Sequence, residues 1–456
     1  MTASEPNVWL DRFSRLYSDE EIIRRTRVDP KPLLNHGNLE VELATNLIKA
    51  EMENIFIPTK QALAILRKLV GIAHAHSIKW YSNPRQFISG CYQEEDTPLT
   101  KFHQGVCFTG YAGCGKSEIL KALAKLLAEQ HTAIADHNHP PFNLKSHLGV
   151  TLQTKTTPTE LLKALIPGDK QSVGIENKTD LLKRMRRLAY RDAVSILSVD
   201  EFQFATQSNE ANSLATSLLL TMGLIGIPFV YAANFSLVGR LLKRNQEDIQ
   251  RLLGSSIVLL PDPPGSDDWM KTLEALKKVA PDVFTFDPKG DMHQIYGYTA
   301  GIKRVLVELL ALAYGIARRN KSTVTLFEIA VAYESSDFYP NRRDVEVIMR
   351  QNVTGHREKN SNDKNERFDL WCPIEIPKDA ALKFKQFAEE QRMRAVSLEA
   401  LRAGMSKQER DEEKKILERN KKNNQKSKAS VRNITPRKKL SADALLQNDK
   451  LLNGYK

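Results

Sequence analysis

Gly110-Tyr-Ala-Gly-Cys-Gly-Lys-Ser117 is the stretch whose reading decides the fold. A glycine, four residues and then Gly-Lys-Ser is the spacing of a phosphate-binding P-loop. Gly110, Gly113 and Gly115 let backbone N–H groups turn in on a phosphate chain where a Cβ would collide. Lys116 supplies a cation for the β- and γ-phosphates, and Ser117 a hydroxyl for Mg²⁺. The expected nucleotide contacts are Gly110, Tyr111, Ala112, Gly113, Cys114, Gly115, Lys116, Ser117 and Glu118. The flanks agree with that reading. Gly105-Val-Cys-Phe-Thr109 is a short apolar run that predicts a buried strand. Lys116 to Gln130 predicts an amphipathic helix, with Ile119, Leu120, Leu123, Leu126 and Leu127 at helical spacing. The positive end of that helix then faces the anion.

A P-loop needs a carboxylate partner, and Ala193-Val-Ser-Ile-Leu-Ser-Val-Asp-Glu201 offers one: an apolar strand ending in two acids. Asp200 is placed to hold Mg²⁺ through water, and Glu201 to orient and polarise an attacking water. Ile225-Gly-Ile-Pro-Phe-Val-Tyr-Ala-Ala-Asn234 predicts a further strand. Its terminal Asn234 is a candidate for the γ-phosphate or the lytic water. The competing reading is a turn residue serving its own backbone. Leu237 to Leu253 reads as one helix carrying Arg240, Lys243, Arg244 and Arg251. Arg240 and Arg244 are read as a solvated face. Arg251 is the candidate to reach a neighbouring subunit's nucleotide. Thr299-Ala-Gly-Ile-Lys-Arg304 opens a helix predicted over Ile302 to Ala317. There Arg304, on the first turn, is the candidate γ-phosphate sensor.

The 456 residues carry a net charge of +12, with 41% hydrophobic and 27% charged residues. That composition predicts a globular protein with polar additions, and its basic excess favours a polyanion partner. No run approaches the length of a membrane span, and Met1 to Asn7 lacks a signal pattern, so no membrane partner and a cytoplasmic location are expected. Cys91, Cys107, Cys114 and Cys372 have no paired metal spacing. Four regions are expected. Residues 1–100 form a helical lead-in, with Thr59 capping a helix over Lys60 to His74 and a turn at Trp80 to Pro84. Residues 101–262 alternate strand and helix, the pattern of a parallel sheet. Pro261-Asp-Pro-Pro-Gly-Ser266 breaks the chain before a helical lid over 267–350. Residues 354–456 form a basic extension. From Glu413 to Leu440 it has eleven Lys or Arg against two Glu, and it is expected to be partly disordered.

The order of P-loop, Asp-Glu strand, Asn-ended strand, basic helix and helical lid with Gly301-Ile-Lys-Arg304 resembles the AAA+ ATPases. More narrowly, Val199-Asp-Glu-Phe-Gln203 and the Asn-ended strand are similar to the TnsC/TniB family of transposition ATPases. The resemblance covers about residues 50 to 330. It implies an α/β AAA+ fold with a small helical lid, and an ATP- and Mg²⁺-dependent homo-oligomer, ring or filament, on double-stranded DNA. The implied partners are transposase subunits and a target-selection protein. In related ATPases the loops near Lys155, Lys178 and Thr179 line the DNA-facing pore, so these three are phosphate-contact candidates, with plain surface loops as the alternative. Binding dominated by phosphate contacts is expected to weaken steeply with salt. A replication initiator or helicase loader of the same superfamily is the alternative function. A small-molecule kinase or a signalling NTPase is a third, with the basic tail and the Asp-Glu pair arguing against a kinase.

Overall fold

The computed structural model describes residues 7–93, 97–134, 139–153, 156–166, 177–202, 211–357, 370–374, 376–406 and 412. Lys155 and the basic stretch 413–440 lie outside these residues.

Among the described residues the strands are β1 (Gly105–Gly110), β2 (His131–Ala133), β3 (Phe142–Leu144), β4 (His147–Thr151), β5 (Ile196–Asp200), β6 (Phe229–Asn234) and β7 (Ser255–Leu259). Five of them form one sheet in the order β4-β5-β6-β1-β7, and every pairing in it is parallel. β2 and β3 pair antiparallel beside it. β1 is buried along its whole length, and β6 along all but Asn234. Such continuous burial is what helices on both faces of a parallel sheet impose. Register places Gly110 beside Asn234 and Thr151 beside Asp200. The strands' C-terminal ends therefore gather the P-loop, Asp200 and Asn234 along one edge of the sheet, where open α/β sheets bind their ligands.

The helix after the P-loop runs Lys116–Leu126 rather than to Gln130. Its buried stripe ends at Leu127, and Ala128 to Gln130 lead directly into β2. The helix expected over Leu237 to Leu253 is two, Phe235–Leu241 and Gln246–Leu253. The Asn245 side chain accepts from the Asp248 N–H, so it starts a new helix where the pattern reads as the middle of one. Thr59 does cap its helix, accepting from the Ala62 N–H. That helix continues to Tyr81, past the expected turn. Tyr81 is fully buried, and its hydroxyl donates to the Val194 carbonyl at 3.0 Å. The turn shrinks to Ser82 and Asn83, with Asn83 capping Pro84–Cys91.

A helical region follows β7, led by Asp267–Lys277 and Lys303–Asn320. The N-terminal helix Val41–Asn54 packs along Lys303–Asn320, with Lys49 and Glu308 paired at 2.5 Å. Further upstream, Arg12 is buried and donates to the Ala193 carbonyl at 2.8 Å and the Ser195 hydroxyl at 2.9 Å, fastening the first helix to the start of β5. The long helix Lys378–Gly404 begins packed, through Phe384 and Phe387, and then runs into solvent. All four cysteines are free thiols. Among the described residues no helix is long and apolar enough to cross a membrane.

Candidate functional site

A cavity of about 540 Å³ opens where the C-terminal edge of the sheet meets the helical region. Ala112, Gly113, Cys114, Gly115, Lys116, Ser117 and Glu118 line one side. Gly113 and Gly115 take φ of +83° and +103°, a region that L side chains rarely adopt. Gly113 is also pressed against the lid. A Cβ there would meet the Arg304 Cβ at 2.7 Å, and the Arg304 backbone N–H donates to the Gly113 carbonyl at 3.1 Å. The loop and the first turn of Lys303–Asn320 are thus one bonded unit.

Lys116 is buried, and its Nζ donates to the carbonyls of Gly110 at 3.0 Å and Tyr111 at 2.8 Å. Burial pushes its ammonium down to about 8, partly offset by the Asp200 and Glu201 carboxylates. Cys114 is buried too, and burial pushes its thiol up to about 11, so the loop cysteine is a neutral packing group. Gly110 contributes its carbonyl to Lys116 but does not line the cavity. Nor does Tyr111, whose ring packs edge-on against Phe235 with centroids 4.9 Å apart.

Asp200 and Glu201 face the same cavity. In an extended strand, neighbouring side chains point to opposite faces. Glu201 escapes that alternation with a left-handed φ of 56°, and its N–H donates to Asp200 Oδ1 at 2.8 Å. A non-glycine residue in this conformation costs about 1–3 kcal/mol and persists only where its surroundings impose it. Burial and, secondarily, the Asp200 charge hold the Glu201 carboxyl above the ordinary carboxylate range. Asn234 ends β6 and starts the next helix, yet its side chain makes no cap bond and lines the cavity.

Among the predicted site residues, the structure therefore brings Ala112 to Glu118, Asp200, Glu201, Asn234 and Arg304 around one cavity. Arg251 lies outside it, more than half exposed and ion-paired to Glu247 at 2.6 Å. Lys178 and Thr179 are exposed at the start of Lys178–Arg191, away from the cavity. The basic residues of that helix are not alike. Lys183 and Arg187 are exposed, whereas Arg186 is buried and donates to four backbone carbonyls.

Sequence reading missed the other wall. It is made by Ile55, Phe56, Ile57 and Thr59 before the P-loop, by Leu260, Pro261 and Asp262 after β7, and by Thr272, Leu276, Lys303 and Val307. These positions carry no phosphate-binding pattern. The one available signal was Pro261-Asp-Pro-Pro, read only as a breaker.

The chemistry of this donor set suits a magnesium nucleotide. Glycines with left-handed φ open a backbone cradle, a buried lysine is held by its own loop's carbonyls, and a hydroxyl and a carboxylate supply hard oxygen ligands.

A family model described as an AAA domain matches residues 102–241, less than a third of the chain. No curated protein matches. Among solved structures, the chain is similar to the Aeropyrum pernix ORC2 protein at 12% identity and a TM-score of 0.40, covering 75% of this chain and 76% of that one. It is similar to the Aeropyrum pernix ORC1 protein in complex with DNA at 14% identity and a TM-score of 0.40, covering 75% and 85%. For Drosophila ORC bound to DNA the identity is 14% and the TM-score 0.34, covering 76% and 84%. Likenesses this distant say nothing of function. The matched span, the P-loop and the sheet order together make this an AAA+ α/β fold followed by a helical region.

Proposed function

We propose that this chain is a Mg²⁺-dependent ATPase of the AAA+ class, in which nucleotide controls assembly on double-stranded DNA during the regulation of transposition. The observation that carries the ATPase reading is the pair Asp200 and Glu201, turned by a left-handed backbone onto the same cavity as Lys116 and Ser117. Bound Mg-ATP supplies the transferable phosphoryl group and the charge that neutralises it. Ser117 and Asp200 are the residues that would hold Mg²⁺. Lys116 leaves its own loop's carbonyls for the phosphates. Glu201, with its raised carboxyl, accepts the proton of the attacking water, and Asn234 orients that water. Arg304 meets the γ-phosphate from the lid and, through its backbone bond to Gly113, ties lid position to loop occupancy. Arg251, exposed on a separate helix, is free of this cavity and suits contact in trans with a neighbour's nucleotide.

The transposition reading rests on the similarity of Val199-Asp-Glu-Phe-Gln203 and the Asn-ended strand to TnsC/TniB ATPases. A replication initiator or helicase loader would use the same ATP site and differ in its partner. The exposed Lys178 and Thr179 are the DNA-phosphate candidates. Electron microscopy with duplex DNA and a slowly hydrolysed ATP analogue, against an ADP control, tests assembly. Rings or filaments are expected with the analogue only. Single particles in both conditions refute the assembly switch. Pull-down with a transposase rather than a replicative helicase then separates the two partner readings.

The Lys116 environment gives a second test. With its ammonium depressed to about 8, the free protein loses that proton above pH 8, whereas phosphate binding restores it. Binding then requires proton uptake, so affinity is flat below pH 8 and falls as pH rises beyond it. Between pH 7 and pH 9 the ATP dissociation constant is expected to rise about tenfold for one such proton. Calorimetry in buffers of different ionisation enthalpy reads the uptake directly. Proton release, or none, at pH 9 contradicts the role given to Lys116.

A further inference from the structure

The cavity holds one buried carboxylate that the phosphate chemistry does not use. Asp262 follows β7, is 6% exposed and lines the cavity wall. Among the described residues no donor stands within hydrogen-bond distance of its Oδ2, although Thr59 and Lys303 lie near enough to favour the charged form of the carboxyl. The nearest cation, Lys303 Nζ, stands 3.6 Å away, beyond hydrogen-bond reach. Leaving a buried polar atom unsatisfied costs about 1–3 kcal/mol, so its retention beside an open cavity points to a donor that arrives with the ligand.

The sheet order says which part of the ligand brings it. β1 lies between β6 and β7. Asp200 and Asn234 end strands on the β6 side of the P-loop, where the metal and the reacting phosphate belong. Asp262 leaves the sheet from β7, on the other side. The same cavity is lined by Ile55, Phe56, Leu276 and Val307, apolar groups suited to a flat base rather than to a phosphate. A nucleoside triphosphate in its ionised form carries N–H and O–H donors only on the nucleoside: the exocyclic amine of the base and the ribose hydroxyls.

Resting on the Mg-ATP reading, we infer that Asp262 is the nucleoside-reading residue of this site, accepting a hydrogen bond from the base amine or the ribose 2′-hydroxyl through Oδ2. Burial, as the largest influence, holds its carboxyl above the usual range, and the Lys303 charge opposes that rise. A site built to pair with a substrate donor rejects the analogue that lacks it, because the acceptor is then left buried and alone.

The test compares Mg-complexed ATP, inosine triphosphate and 2′-deoxy-ATP on the wild-type chain and on Asp262→Ala, by equilibrium binding. Inosine triphosphate replaces the amine with a carbonyl; 2′-deoxy-ATP removes one hydroxyl. The wild type is expected to bind one of the two at least tenfold more weakly than ATP, and which one names the donor. Asp262→Ala should bind ATP as weakly as that analogue and lose the preference, while Lys303→Ala should keep it. If the wild type binds all three alike, the assignment fails without recourse to any variant. If Asp262→Ala keeps the wild-type preference while slowing hydrolysis as much as Lys303→Ala does, Asp262 is a strut between sheet and lid, and the assignment is equally wrong. A wild type that binds no Mg-ATP at all refutes the ATPase reading itself.

Discussion

Replacing Glu201 by glutamine is expected to slow ATP turnover by about a hundredfold or more, the range for loss of a positioned general base, while leaving ATP affinity nearly unchanged. The substitution is almost isosteric, so the left-handed backbone and the Asp200 Oδ1 bond to the residue 201 N–H both survive. What is lost is basicity. The carboxylate accepts a proton from water; the amide does not. The retained affinity follows because the cradle, Lys116 and Ser117 are untouched. In the assembly assay the variant should accumulate the ATP-bound form and persist on DNA with ATP itself, without an analogue. Single-turnover hydrolysis alongside nucleotide binding decides the matter. Normal hydrolysis removes Glu201 from the water-activating role. Lost binding with lost hydrolysis shows instead that the residue shapes the cavity.

The second large effect concerns stability. Arg186 is 5% exposed, and its guanidinium donates to the carbonyls of Leu99 at 3.1 Å, Thr100 at 3.0 Å, Leu224 at 2.8 Å and Ile225 at 3.2 Å. It joins the helix Lys178–Arg191 to the segment entering β1 and to the end of Ala211–Ile225, which leads into β6. Those are the two strands that position the P-loop and Asn234. Arg186→Ala strands several buried carbonyls, each worth about 1–3 kcal/mol unsatisfied, although relaxation and water entry recover part of the sum. A net loss of about 3–5 kcal/mol is expected, the range for breaking a buried charged cluster. For a chain of 456 residues that lowers the melting temperature by roughly 3–5 °C. Lys183→Ala, an exposed change on the same helix, should shift it by no more than about 1–2 °C. Calorimetry of the two variants is sufficient. Equal, small shifts would mean that the four carbonyls find water when the guanidinium goes.

Those two residues also mark how unevenly the sequence discloses the molecule. Glu201 was legible because an apolar run ending in Asp-Glu is a local pattern. That both carboxylates turn the same way was not legible, since strand alternation alone sends them apart. Arg186 reads in the sequence as one of several cations on a solvated face. Only the packing of three chain segments around it shows that it is a buried clamp. Asn245 divides a run of helical periodicity because a side chain that can cap competes with the pattern around it, and periodicity does not weigh that competition.

By itself, the sequence determined the phosphate-binding loop, the buried strands beside it and the parallel α/β class. Each of these is written in residues adjacent in the chain: glycine spacing, a run of apolar side chains, a cap before a helix. The tertiary structure alone decided the strand order β4-β5-β6-β1-β7, the docking of Arg304 on Gly113, and the far wall with Asp262. Those features join segments separated by scores to hundreds of residues, and their partners are selected by which surfaces are buried together, a choice that no short window of sequence contains.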